Sequence, residues 1–111
     1  MKGETVDPPT VPVRPGRTIT GMSAILLPQT DHGEVDWPGL AAHVERTAAA
    51  GLIPAVNMDT GFVQLLDEAT KVRVLDVAAA HSDRFVAGAH LVDRTGDRFD
   101  LDGYRGEIDR I

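Results

Sequence analysis

The chain has 111 residues, 42% hydrophobic and 25% charged, an ordinary globular composition that excludes wholesale disorder and a fibrous design. Its 17 acidic against 11 basic residues give a net charge of -6, which repels phosphate backbones and anionic lipid, so neither nucleic acid nor a membrane is expected as a partner. The absence of cysteine excludes disulfides and thiolate chemistry, and no apolar run reaches a membrane span or forms a signal-peptide core, so a cytoplasmic protein is expected.

Residues 1–17 carry four of the seven prolines, Pro8, Pro9, Pro12 and Pro15, without a periodic apolar pattern, and read as an extended arm. The folded part is expected over residues 18–111. Its first apolar run, residues 23–27, reads as a strand and ends in Leu27, Pro28, Gln29 and Thr30. The cluster Asp31, His32, Gly33 and Glu34 then reads as a solvated turn. Asp36 is placed to cap a helix whose apolar stripe is Trp37, Leu40, Val44 and Ala48, with Pro38 in the first turn and Gly51 just past the end.

A second strand is expected over residues 52–57, although Pro54 cannot donate to a ladder and pulls that run toward an edge or a bulge. After it comes a loop of Asn57, Met58, Asp59, Thr60, Gly61 and Phe62. The next helix spans about residues 67–81, with Val72, Leu75 and Ala79 on the packed face and Glu68 paired with Lys71 on the exposed side. A third strand over residues 85–90 runs into His90, Leu91, Val92 and Asp93. Residues 98–111 place Leu101, Tyr104, Ile108 and Ile111 at helical spacing, with Tyr104 expected to pack.

The strands are apolar without clean alternation, as when both faces of a parallel strand are covered. They recur about every 30 residues with a helix in each gap, the repeat of a (β/α)8 barrel. The fold class expected is therefore α/β, the N-terminal β-α-β-α-β part of a TIM barrel that these residues leave incomplete. Three strands would have open edges, which complete folds avoid, so the chain alone is expected to be inactive.

In parallel α/β folds ligands gather at the carboxyl ends of the strands. That rule selects Asn57, Asp59, Thr60 and Gly61 after the second strand and His90 after the third. Asp, Thr and Gly between a strand and a helix can offer a carboxylate, a hydroxyl and backbone N–H groups to an anionic or carbonyl ligand. The four histidines, His32, His43, His81 and His90, have no metal-ligand spacing. His43 and His81, on helices, read as surface or dipole-complementing residues. No nucleotide-binding glycine motif follows any strand, and no cofactor is expected.

The order Gly21-Met-Ser-Ala-Ile-Leu-Leu-Pro28, then Gly33-Glu-Val-Asp36 with Leu40, Ala50-Gly51-Leu52 leading to Thr60-Gly61, Leu66 ahead of a helix, and Phe85-Val-Ala-Gly88 resembles the dihydrodipicolinate synthase and N-acetylneuraminate lyase superfamily. The resemblance runs from about Gly21 to Ala89. It implies a lyase of the aldolase type, in which a barrel lysine forms a Schiff base with pyruvate or another 2-oxo acid and the iminium acts as an electron sink. It also implies that Thr60 holds the substrate carboxylate and that Gly61 admits close backbone approach. Asp59 and Phe62 replace the first threonine and the glutamate of the family's loop. An ionised Asp59 about 4 Å from a bound carboxylate would oppose it by roughly 4 kcal/mol at an effective dielectric near 20. The only lysines are Lys2, in the arm, and Lys71, in the second helix. The resemblance puts the Schiff-base lysine on a sixth strand and the catalytic tyrosine on a fourth, both outside these residues. The alternative is a non-enzymatic small-ligand-binding or scaffold protein that completes its sheet by forming a homo-oligomer.

Overall fold

Two short apolar segments pair in parallel with a third between them, giving a sheet of order β1-β2-β3 from β1 (Met22–Ala24), β2 (Ile53–Val56) and β3 (Val86–Ala87). The structure, a computed structural model, describes residues 5–92 and 98–111. Asp93 and Lys2 lie outside the described residues. Helix α1 (Trp37–Ala49) connects β1 to β2, α2 (Glu68–His81) connects β2 to β3, and α3 (Leu101–Arg110) follows. Described residues up to Thr20 are exposed and carry neither helix nor strand, with a turn at Pro15–Gly16.

The register pairs Met22 with Ile53, Ala24 with Ala55 and Val56 with Ala87. Side chains alternate across a strand, so Ile25, Leu27 and Val56 face the helices, where they meet Leu40 and Val44 of α1 and Val74, Leu75 and Ala78 of α2. Each of these valine, leucine and isoleucine side chains contributes about 1.5–3 kcal/mol on burial. The opposite face carries Met22 and Leu26, which are 60% and 59% exposed, together with Ile53 and Ala55 of β2, which are buried.

Pro54 sits in the central strand and is fully buried, not at an edge or a bulge. The reason lies in the ladder. Ile53 N–H donates to Gly21 O and Ala55 O accepts from Ile25 N–H, so residue 54 turns its nitrogen toward β3. The β2–β3 pairing begins only at Ala55, and no bond is lost there.

Helix α1 forms as its spacing predicts. Asp36 Oδ1 accepts Gly39 N–H at 3.0 Å, and Gly51 ends the helix with φ +84°, a conformation that favours glycine. The turn before it is a small hairpin in which Thr30 N–H donates to Glu34 O and Asp36 N–H to Pro28 O. Helix α2 differs in its orientation: the buried residues are Lys71, Val74, Leu75 and Ala78, while Val72 and Ala79 are exposed. The helix is rotated by about one residue from the expected stripe. Many small apolar residues make both stripes nearly equivalent, and Lys71 can bury its alkyl stem while its ammonium finds partners.

Asp67 caps α2, its Oδ1 accepting Thr70 N–H at 2.8 Å. Bonding to the Thr70 side chain first, and to its backbone N–H second, holds the Asp67 carboxyl below the ordinary aspartate range. A depressed carboxyl contributes stability above its unfolded-state value and loses it as pH falls through the folded one. The start of α2 should therefore fray in acid, below the usual aspartate titration range. Asp67→Asn keeps a capping oxygen without that titration, so it should flatten the acid limb of a helicity titration; superimposable limbs would contradict this.

Candidate functional site

The loop after β2 is built on a backbone reversal. Asn57 has φ +54° and is 4% exposed, and its Nδ2 donates to the backbone oxygen of Lys71 in α2 at 3.3 Å. Continued strand alternation would put residue 57 on the sheet face away from α1 and α2; the left-handed conformation turns its amide toward α2. The Asn57 Oδ1 atom is buried with no partner among the described residues. Beside it is a cavity of about 10 Å³ lined by Ile25, Leu27, Leu40, Val56, Gly61 and Val74.

Asp59–Gly61 then forms one 3-10 turn, with Gly61 N–H donating to Met58 O at 2.9 Å and Phe62 N–H to Asp59 O at 3.0 Å. Those two amides are consumed internally. The amides of Asp59 and Thr60, at the start of the turn, have no intrahelical acceptor. Phe62 adopts φ +57° and packs on the core, which re-aims the chain into a second 3-10 turn at Val63–Leu65 and on to α2.

The loop therefore places Asp59 and Thr60 on the exposed crest at the carboxyl end of the middle strand, with Gly61 buried beneath them. No protein-family model, curated protein or solved structure matches this chain. A Cβ at Gly61 would stand 3.4 Å from the Ile25 carbonyl oxygen, so the loop lies against the end of β1. Asn57 shapes the crest from below and does not share its surface. His90 is half-buried, three residues past the end of β3, and makes no hydrogen bond or ion pair with Asn57, Asp59 or Thr60 among the described residues. Strand β3 ends earlier than the apolar run, because Ala87 is its last paired residue.

Lys71 is buried, contrary to its expected exposed position, with its backbone bonded to Asn57 and its Nζ 2.9 Å from Glu68 and 3.7 Å from Glu107. It lies between α2 and α3 and not at a strand end, and its ammonium is engaged as an ion-pair donor. Among the described residues no group of three or more His, Asp or Glu is placed to hold a metal ion. His81 Nδ1 lies 2.6 Å from Glu45, joining α2 to α1. Tyr104 stacks on Phe99 with ring centroids 5.3 Å apart, a packing role. No described helix is long and apolar enough to cross a membrane.

The residue that spacing leaves out of the site is Gly88. A Cβ there would fall 2.3 Å from the Asn57 carbonyl oxygen and 3.2 Å from Met58 Sδ, so the start of the loop and the end of β3 touch backbone to backbone. A glycine inside an apolar run is the available signal, since it marks a close backbone approach.

Proposed function

We propose that this chain is the N-terminal portion of a dihydrodipicolinate synthase-like or N-acetylneuraminate lyase-like barrel, a cytoplasmic carbon–carbon lyase or aldolase that acts on a 2-oxo acid through a lysine Schiff base. The lysine and the tyrosine of that chemistry belong to later strands. The observation that carries the reading is the parallel order β1-β2-β3 with a helix in each connection, which puts Asp59–Gly61 at the carboxyl end of the middle strand. In that place Thr60 supplies its hydroxyl to the substrate carboxylate and Gly61 leaves room for it. The exposed Asp59 carboxylate works against a simple pyruvate unless the substrate carries a compensating group.

Borohydride reduction in the presence of pyruvate tests the reading. The 111-residue chain should form no adduct, whereas the chain extended by its downstream reading frame should trap pyruvate on a lysine other than Lys2 or Lys71. Thr60→Val in the extended protein should raise the pyruvate concentration needed by about tenfold, the effect of losing one hydrogen bond to a charged group. An adduct on Lys71 of the short chain, or none on the extended one, would sink it.

A second reading, of a small-ligand-binding or scaffold protein that completes its sheet with further copies, draws on the exposed apolar side chains of Met22 and Leu26 at β1. A compact, concentration-dependent oligomer of the 111-residue chain in sedimentation would favour it.

A further inference from the structure

Helix α3 buries no residue of its own and reaches α2 through ion pairs. Of its apolar side chains Tyr104 is half-buried against Phe99, while Leu101 and Ile108 are 49% and 60% exposed and Ile111, just past its end, 47%. Four charges join the two helices instead. Glu68 and Lys71, one turn apart on α2, and Glu107 and Arg110, one turn apart on α3, alternate in sign around a closed ring. Lys71 Nζ lies 2.9 Å from Glu68 and 3.7 Å from Glu107, Arg110 lies 3.3 Å from Glu107, and Arg110 also pairs with Glu68. The Lys71 and Glu107 side chains are 10% and 13% exposed, so they cover each other, while Arg110 and Glu68 at 42% and 61% stand in solvent. Gly103 also comes close to the Leu91 side chain, and Tyr104 stacks on Phe99.

From this we propose that α3 is a strap latched by charge, released by ionic strength while the β1–α2 unit stays folded, and that its release uncovers the Lys71 amine. Apolar docking would be insensitive to salt or tightened by it. Exposed ion pairs weaken as the screening length falls from about 10 Å at 0.1 M to about 3 Å at 1 M, so salt acts first on the exposed Arg110–Glu68 side of the ring and less on the covered Lys71–Glu107 pair. Lys71 also fixes the loop through its backbone, which accepts from Asn57 and is independent of the latch. Release should therefore leave the loop in place.

Hydrogen exchange on the full 111-residue chain, read by peptide mass spectrometry at about 0.05 M and about 1 M NaCl, tests the latch. Exchange across residues 101–110 should quicken about fivefold at high salt, the factor an exposed ion pair allows. Exchange in α1 and β2 and the emission of Trp37 should not change. Acetylation by an N-hydroxysuccinimide ester should rise at Lys71 relative to Lys2 over the same salt range. Glu107→Gln should open α3 at low salt, and Ile108→Ala should not. Salt-independent exchange in α3, an equal response in α1, or an Ile108→Ala effect as large as that of Glu107→Gln would each overturn the proposal.

Discussion

Leu40→Ala should cost about 2–5 kcal/mol, the largest single loss expected from a side-chain truncation here. Leu40 is 1% exposed and belongs to the core cluster it forms with Ile25, Leu27, Val56 and Val74. Its side chain also lines the small cavity next to Asn57, so truncation enlarges an existing void of about 10 Å³ instead of letting neighbours close on a full core. Costs of this kind grow with the residual cavity. The informative contrast is Val72→Ala, one residue from the buried stripe of α2 and 37% exposed, which should change stability by no more than about 0.5 kcal/mol. Urea unfolding of the two variants measures both. Comparable losses would mean that α2 presents the face expected from its spacing and not the face of Val74 and Ala78.

Gly88→Ala is expected to cost about 1–3 kcal/mol, and more if the strand cannot shift. The added methyl would stand 2.3 Å from a backbone oxygen, which cannot swing aside as a side chain can. Relief requires β3 to move away from Asn57, and that breaks the bond from Gly88 N–H to Val56 O, 3.0 Å long. Denaturant unfolding should show the loss, and hydrogen exchange should show early opening at Gly88. Gly61→Ala is the control, since its methyl meets the Ile25 carbonyl at 3.4 Å, an ordinary contact. If the alanine at 88 is tolerated as well as the one at 61, the loop and β3 are not in backbone contact.

Much of the chain follows from local rules. Asp36, Leu40, Val44 and Gly51 specify α1 because a cap, a period of 3.6 and a left-handed stop act within one helix and need no partner. Asp67 and the following residues locate α2 in the same way. The three apolar runs show where strands lie, though the paired parts are shorter, because an apolar run records burial while a strand needs a neighbour at matching register. Ile25 and Leu27 are buried beyond the end of β1 for that reason. The loop's reversal at Asn57 was not legible, since a positive φ at a non-glycine residue is chosen by what the side chain meets, here the carbonyl of Lys71.

The candidate site divides along the same line. That Asp59, Thr60 and Gly61 follow a strand and precede a helix is a property of the chain order, readable from spacing and turn chemistry alone. Which of the neighbouring residues shares their surface is a property of packing between distant segments. Asn57 is turned under the loop by α2, Gly88 is required by a contact across 31 positions, and Lys71 is drawn inward by Glu107 from another helix. Residues such as these are set by partners far away in sequence, and no local period or propensity carries that information.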